Sequence, residues 1–254
     1  QGAAARLRPG GVLLLCGTND EGIKSAGKRI EAAFEQVETV ETRRRCRVFR
    51  ASQPRSATAG GLEPWAQSCA EEALTWISFP GVFANGRVDA GTRALLDHIE
   101  GPDPKTKVLD FGCGSGLLSL EMRRKVPGLS VDLLDIDGLA VEAARRNLPG
   151  CEVFHSDGFA AVKGRRWDLI VSNPPFHDGV ARDHDVLARL ILEAPNHLTN
   201  GGKLYIVCQR NVPVQEPLAK AFGPRKCERL HLGRYQVWRA IKGATPRAAR
   251  PARR

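Results

Sequence analysis

The chain has 254 residues and a formal net charge of +10 at pH 7. This length permits one large domain, or one domain plus a fragment. No apolar run approaches the roughly 18 residues that a membrane-spanning helix needs, so we expect a soluble protein with no membrane partner. The seven cysteines form no C-x-x-C pair, which argues against a disulfide framework and a zinc site. We therefore expect a reducing compartment and no bound metal.

The positive charge is concentrated in two clusters, which favours a polyanionic partner. Taken singly, each cluster is equally well explained as a solvated face or a disordered end. The first cluster is Arg43, Arg44, Arg45, Arg47 and Arg50, and the second lies in a tail with Lys242, Arg247, Arg250, Arg253 and Arg254.

Two parts of the chain follow the same order of patterns. Residues 10–16 open with two glycines and continue as a buried-strand pattern, which a helical stretch over 23–34 and an alternating strand over 45–51 follow. Residues 201–208 open with the same double glycine, and residues 233–240 end with a similar strand. This order predicts an internal duplication whose first copy retains only its last strands and helix. Chance similarity of two buried hairpins is the alternative.

The composition between these parts predicts the domain boundaries. We expect a duplicated remnant over 1–54 and a linker rich in Ser, Ala, Gly and Pro over 55–71. A catalytic domain over 72–242 and a basic disordered tail over 243–254 follow. At the start of the catalytic domain, Asp89 or Thr92 is placed to cap an amphipathic helix that carries Leu95, Leu96 and Ile99.

A glycine-rich turn follows a short apolar strand at residues 108–119. Asp110 ends the strand, and Gly112, Gly114 and Gly116 come at alternate positions, so the backbone can turn sharply and approach a ligand closely. Leu117 stands where a dinucleotide fingerprint needs its third glycine, and no Gly-Lys-Ser/Thr of a Walker loop follows. The pattern predicts a cofactor loop of another kind. A plain strand-to-helix turn is the alternative.

Acidic residues end the next two predicted strands. Asp135 is placed to accept both hydroxyls of a ribose, as an acid at the end of the second strand of a nucleotide-binding sheet does. Asp137 is the alternative candidate for the ribose-binding acid, although capping of the next helix explains Asp137 better. Asp157 follows a third strand and could hold an adenine amine, and a plain turn residue explains it equally well.

The fourth strand, Trp167 to Ser172, runs directly into Asn173, Pro174, Pro175, Phe176 and His177. Two prolines end the strand and lack N–H donors, so nearby carbonyls can point into a cleft. The side-chain oxygen of Asn173 and a proline carbonyl can accept both hydrogens of a planar NH₂ group, while Phe176 offers a face on which a flipped base can stack. A strand-ending turn with a core Phe is the alternative.

These motifs together resemble class I S-adenosylmethionine-dependent methyltransferases, and more narrowly the ribosomal RNA small subunit guanine-N2 methyltransferases of type C. That family has two similar domains that arose by duplication, the first degenerate and the second catalytic. The first domain of this chain lacks the upstream half of that pattern. The role of His177, which is typical of this branch, does not follow from the residues.

The resemblance also implies roles for the candidate site residues. The loop from Asp110 to Gly116 would wrap the methionine end of S-adenosylmethionine, Asp135 would hold the ribose and Asp157 the adenine. Asn173 to Phe176 would hold the target base. The residues that would line the pocket beside the methyl group are Phe83, Asp89 and Thr92.

We therefore expect a doubly wound, Rossmann-like α/β sheet, mostly parallel, with the antiparallel closing hairpin of the family. The expected function is methylation of the exocyclic N2 amine of a guanine in ribosomal RNA, with the RNA or the ribosomal subunit as partner. Adenine-N6 methylation, protein glutamine-N5 methylation and a non-catalytic RNA-binding paralogue are the alternatives. We expect a cytoplasmic monomer, although a chain that begins with Gln1 leaves an organelle open.

Overall fold

The computed structural model describes residues 3–4, 7–20, 22–55, 62–71, 73–174 and 181–243, without the side chains of residues 85 and 181–184. Within these residues the chain divides into two compact units, Gln1–Trp65 and Ala66–Arg254. Among the described residues, no helix combines the length and the apolar character that crossing a membrane would require.

The first unit is a three-stranded antiparallel sheet with one helix. Its elements are β1 (Leu13–Thr18), α1 (Ile23–Glu31), β2 (Phe34–Arg43) and β3 (Cys46–Pro54). The strands lie in the order β1-β3-β2, and α1 packs on one face of the sheet. A Cβ added to Gly27 of α1 would lie 2.8 Å from the ring of Phe49, so the helix approaches β3 closely because this residue is glycine.

The second unit contains the remaining elements. It begins with a hairpin of β4 (Gln67–Glu71) and β5 (Leu74–Ser78). The helices that follow are α2 (Ala90–Leu96), α3 (Leu117–Lys125), α4 (Gly138–Asn147), α5 (Ala181–His197) and α6 (Gln215–Phe222). The strands that follow are β6 (Lys107–Phe111), β7 (Ser130–Asp135), β8 (Val153–His155), β9 (Trp167–Ser172), β10 (Leu198–Gln209), β11 (Cys227–Leu232) and β12 (Tyr235–Ile241).

Seven of these strands form one sheet in the order β11-β12-β10-β9-β6-β7-β8. The strands from β10 to β8 pair in parallel, and β12 and β11 add antiparallel strands at one edge. One apolar cluster packs α5 and α6 on one face, and a second packs α2, α3 and α4 on the other. The predicted doubly wound α/β sheet with an antiparallel closing hairpin is confirmed. Its carboxyl edge, where loops leave β6, β7 and β9, is the place at which such sheets bind ligands.

Several elements were not expected from the sequence, and the strands β4 and β2 are two of them. Residues 67–71, which we assigned to a linker, form β4, because they pair along their whole length with β5. The strand β2 was also missed, because most of its residues are charged or polar and exposed. Such a strand, at the edge of its sheet, shows no alternating apolar pattern.

The first unit repeats the topology of the end of the second unit. The order β1-α1-β2-β3 corresponds to β10-α6-β11-β12, and β3 and β12 each lie in the middle of their three strands. The pairing of Leu13 with Ala51 corresponds to that of Leu204 with Ala240. The duplication and the domain boundaries stay predictions, and this correspondence supports the duplication.

Candidate active site

The glycine loop leaves β6 with three residues in left-handed conformations. The φ angles of Gly112, Gly114 and Gly116 are 69°, 55° and 81°, values that side chains with a Cβ rarely adopt. A Cβ on Gly116 would also lie 2.8 Å from Leu148 Cδ1, whereas one on Gly112 would meet nothing within 4 Å. Gly116 therefore serves the packing of the turn, and Gly112 leaves open space for a ligand.

Asp110 lies at the end of β6 and is 1% exposed. It accepts a hydrogen bond of 2.6 Å from Ser119 Oγ. Burial raises the pKa of Asp110 to about 7, and the nearby charge of Asp135 acts in the same direction, against the bond from Ser119. The carboxyl group borders a small cavity of about 30 Å³ beside the glycine loop.

Asp135, at the end of β7, is held by the backbone on both of its oxygens. Its Oδ2 accepts from Gly114 N at 2.8 Å, and its Oδ1 accepts from Asp137 N at 2.9 Å. Burial raises the pKa of Asp135. Each oxygen keeps a lone pair for a further donor. Asp137 accepts from Leu139 N at 2.8 Å, so its predicted role as the cap of α4 is confirmed.

A larger cleft of about 440 Å³ runs along the carboxyl edge of the sheet. Its apolar lining includes Phe111, Leu134 and Ala140. Most of its polar groups come from residues at or just after the strand ends, and Arg189 comes from α5. This size is within the range of small-molecule and cofactor sites. Four predicted site residues that line the cleft beside the loop glycines are Phe83, Asp135, Asp157 and Asn173.

Asn173 follows β9, and its side-chain amide is fixed by two residues at the start of α2. The Nδ2 atom donates to Asp89 Oδ2 at 2.9 Å and to Thr92 Oγ1 at 2.9 Å. A carboxylate can only accept, so this contact determines which end of the amide faces Asp89. The Oδ1 atom of Asn173 is consequently turned away from Asp89.

Asp89 has two roles in this arrangement. The same Oδ2 atom accepts from the backbone N of Gly91 at 2.8 Å and of Thr92 at 3.2 Å, so Asp89 is the N-cap of α2. The capping interpretation and the pocket interpretation of Asp89 are therefore compatible. Gly91 leaves the space for both contacts, because a Cβ there would lie 2.8 Å from Asp89 Oδ2 and 3.3 Å from Asn173 Oδ1.

Two residues of this region were not expected from the sequence. Asn147, at the end of α4, donates to the carbonyls of Ile77 and Ser115, both at 2.8 Å, and accepts from Ile77 N at 2.7 Å. It thereby joins β5 to the glycine loop. Arg189 of α5 donates to Asp157 Oδ1 at 3.0 Å at the edge of the cleft. Neither has a recognisable local motif.

The structure brings most of the described candidate site residues together at two cavities that share part of their lining. Asp89, Thr92 and Asp110 line the small cavity, and Asp135 and Asp157 line the larger cleft. The residues that line both are Phe83, Gly112, Gly114 and Asn173. Pro174 is buried after β9. Pro175, Phe176 and His177 lie outside the described residues, as do residues 244–254 of the predicted tail.

Two family models match the chain. The model of the methyltransferase small domain matches residues 73–239, and the model of the methyltransferase small domain N-terminal region matches residues 1–69. The resemblance inferred from the motifs is confirmed by this match.

Individual relatives agree with the family models. The ribosomal RNA small subunit methyltransferase C of Shewanella amazonensis is 34% identical over 229 residues, which are 87% of this chain and 66% of the relative. The protein of the same name from Pseudomonas entomophila is 36% identical over 249 residues, which are 94% of this chain and 73% of the relative. The chain thus spans about two thirds of the length of such relatives.

A solved structure is also similar. It is the T. thermophilus 16S rRNA N2 G1207 methyltransferase (RsmC) in complex with AdoMet and guanosine, with a TM-score of 0.79 and 28% identity. The match covers 94% of this chain and 67% of that protein. From its sequence, its sheet and these matches, the chain belongs to the methyltransferase small domain family and, within it, to the ribosomal RNA small subunit methyltransferase C proteins.

Proposed function

We propose that this chain transfers a methyl group from S-adenosylmethionine to the exocyclic N2 amine of a guanine in ribosomal RNA of the small subunit. The observation that carries the proposal is the fixed amide of Asn173, whose Oδ1 is turned away from Asp89 beside the glycine loop. The names of the relatives and the AdoMet and guanosine of the T. thermophilus structure support the substrate class.

The residues of the cleft fit this cofactor. Gly112 leaves the space above the loop open, so a ligand can approach the backbone closely. Asp135 keeps lone pairs for the two ribose hydroxyls, and the apolar lining with Phe111 and Leu134 suits a base. Asp110 would face the methionine end from the small cavity, and Asp157 would face the adenine end.

The proposed chemistry needs positioning more than a general base. When bound, the cofactor supplies a methyl group that its positive sulfur already activates. Asn173 Oδ1 accepts a hydrogen bond from the guanine amine and holds the nitrogen in line for attack. The amine becomes positive as it takes the methyl group and afterwards loses a proton to water. The dipole of Asn173, with the carboxylate of Asp89 behind it, stabilises that positive charge.

The domain arrangement, the oligomeric state and the cellular location belong to the same proposal. Residues 1–54 would be a remnant of the degenerate copy and residues 72–242 the catalytic domain, while the basic tail from 243 would contact RNA phosphates. The protein would act as a monomer in the cytoplasm. The correspondence between the two sets of strands supports the first of these statements.

The function is tested by incubating the protein with radiolabelled S-adenosylmethionine and separate rRNA, DNA and protein fractions. The labelled fraction is then digested to nucleosides or amino acids. We expect label in rRNA as N2-methylguanosine, and an Asn173→Ala variant as the control should lose most of it. Label in N6-methyladenosine or N5-methylglutamine would show one of the alternative enzymes. Binding of rRNA without any label would show a non-catalytic paralogue.

A further inference from the structure

Strands β10 and β12 extend past the end of β9 on the carboxyl side of the sheet. Ile206 of β10 lies beside Ser172, so Asn173 is level with the next residue of β10. Arg210 lies three residues further along the chain. Its backbone is therefore roughly 10 Å beyond Asn173 in the direction of the strands, and about 4.8 Å, one strand spacing, to the side. Its backbone N donates to Arg234 O at 3.1 Å. Both arginines therefore lie past this edge of the sheet, and the guanidinium of Arg234 lies over the ring of Tyr235, 5.7 Å from its centroid.

Buried polar side chains fix the turn that carries Arg210. Gln236 is 4% exposed and donates through Nε2 to the carbonyls of Gln209 at 3.1 Å and of Val212 at 2.6 Å. Trp238 Nε1 in turn donates to Gln236 Oε1 at 2.8 Å. These bonds hold the turn in one conformation, so the arginine is presented from a rigid element.

A third arginine lies on the neighbouring strand. The guanidinium of Arg229 in β11 lies over the ring of Trp238, 5.5 Å from its centroid. A groove of about 490 Å³ passes between Arg210 and Arg229, and Asn211 and Glu216 also line it. The arginine side chain is thus held by stacking, which leaves its N–H groups for a ligand.

The charge of these three residues is not neutralised within the described part of the chain. Arg239 of β12 pairs with Glu100 and Glu228. In contrast, none of the described carboxylates forms a salt bridge with Arg210, Arg229 or Arg234, and all three are exposed. Like charges on opposite strand residues are destabilising. An anion from outside the chain would remove that cost for Arg210 and Arg234.

We infer that Arg210, Arg229 and Arg234 form a docking surface for RNA phosphates that flank the methylated nucleotide. The inference rests on the proposed function. A basic groove that follows the backbone of a single strand is a common means of binding such a substrate. The contacts go to phosphates, so the surface positions the RNA and adds no base specificity.

The test is a triple variant, Arg210→Gln, Arg229→Gln and Arg234→Gln, in the full chain. Its binding to a transcript of small-subunit rRNA is measured at several salt concentrations, with cofactor affinity and thermal stability as further readouts. The matched control is Lys105→Gln, Lys163→Gln and Arg166→Gln, which removes three exposed charges from the connections that enter β6 and β9 at the opposite edge. A third variant, Arg210→Lys, Arg229→Lys and Arg234→Lys, keeps the three positive charges.

We expect the triple Gln variant to bind the transcript about tenfold more weakly, or worse, with an unchanged methylated position. The plot of log binding constant against log salt concentration should become less steep, its slope losing roughly 2 in magnitude. Each lost phosphate contact on a single strand contributes about 0.7 to that magnitude. Cofactor affinity should not change, and the Lys variant should keep most of the slope.

Other outcomes separate the two proposals. If wild-type protein methylates a guanine and the triple Gln variant binds the transcript like the control, the docking surface is wrong and the proposed function stands. If only cofactor affinity or stability falls, the arginines are structural and the inference is overturned. If wild-type protein neither binds nor methylates the transcript, both proposals are wrong.

Discussion

Asn173 Nδ2 donates to Asp89 Oδ2 at 2.9 Å, although 84 positions separate the two residues. The contact joins the residue after β9 to the N-cap of α2, and Thr92 provides a second acceptor for the same amide. The side-chain amide of Asn173 is thus oriented by a helix terminus on another segment. Asp89 is a positioning residue in this arrangement.

Replacing Asp89 should reduce turnover through Asn173. Asp89→Ala removes both the cap and the anchor of the amide, so we expect kcat to fall by roughly tenfold to a hundredfold and stability to fall by about 1 kcal/mol. Asp89→Asn is the control, because its side-chain oxygen can take the place of Oδ2. Single-turnover rates and thermal melts measure the two effects. Equal kcat values for Asp89→Ala and wild type would contradict this role.

Gly91→Ala should impair the same site without removing any polar group. Alanine is favoured over glycine within a helix by roughly 1 kcal/mol, but its Cβ would lie 2.8 Å from Asp89 Oδ2 and 3.3 Å from Asn173 Oδ1. We expect kcat to fall by about tenfold or more as the amide is displaced. Gly138→Ala in α4 is the matched control, since nothing lies within 4 Å of its Cβ. A Gly91→Ala enzyme with normal kcat would show that the geometry tolerates the methyl group.

Asp110 should make stability depend on pH. Its pKa is raised by burial from 3.8 to about 7, so the folded protein retains a proton that the unfolded chain loses at lower pH. Stability should therefore fall as the pH rises from about 4 to about 7, by at most about 1.4 kcal/mol for each pH unit. Asp110→Asn removes this contribution and keeps an acceptor for Ser119.

Urea unfolding of both proteins at about pH 5 and about pH 8 measures this effect. We expect the free energy of unfolding of Asp110→Asn, relative to that of wild type, to be larger at about pH 8 than at about pH 5. A difference that is independent of pH would mean that Asp110 is ionised throughout in the folded protein.

Asp135 should determine cofactor affinity. A carboxylate that accepts both ribose hydroxyls makes charge-assisted bonds worth roughly 1.5 to 3 kcal/mol each. We expect Asp135→Ala to weaken S-adenosylmethionine binding at least about tenfold, and Asp135→Asn to weaken it less because an oxygen can still accept from Gly114 N. Calorimetry measures both affinities. Unchanged binding by Asp135→Ala would remove this residue from the ribose site.

The sheet of the second unit could be predicted because its strands are apolar and end in recognisable residues. The strand Trp167–Ser172 has the predicted bounds, and Asp135 ends its strand as expected, whereas β6 runs one residue past Asp110 to Phe111. The polar edge strand Phe34–Arg43 could not be predicted, since it has no apolar alternation. Local sequence predicted that Asp89 or Thr92 would cap a helix, but not that both would hold Asn173.

Contacts between distant segments were the main part that the sequence did not reveal. Asn147 binds Ile77 at a separation of 70 positions, and Arg189 binds Asp157 at a separation of 32. Neither contact follows from local spacing, because these segments meet only through the tertiary packing of helices and strands, as where α4 meets β5. The arginines at the end of β10 and the start of β12 likewise become neighbours through strand pairing.

Asn173→Asp tests whether the side chain at position 173 stays beside Asp89. The new carboxylate would face Asp89 Oδ2 where the amide N–H now donates, and two carboxylates at about 3 Å cannot both be ionised. We expect low activity at neutral pH, although a carboxylate can accept from an amine. Appreciable activity there would mean that the side chain turns away from Asp89.

The most direct test is the kcat of Asn173→Ala, measured in single turnovers beside its affinity for S-adenosylmethionine. If Asn173 Oδ1 orients the amine and stabilises its developing charge, kcat should fall by roughly a hundredfold or more. Cofactor affinity should hardly change. A variant that keeps a near-normal kcat would contradict the account, because the residues after β9 would then be a structural turn.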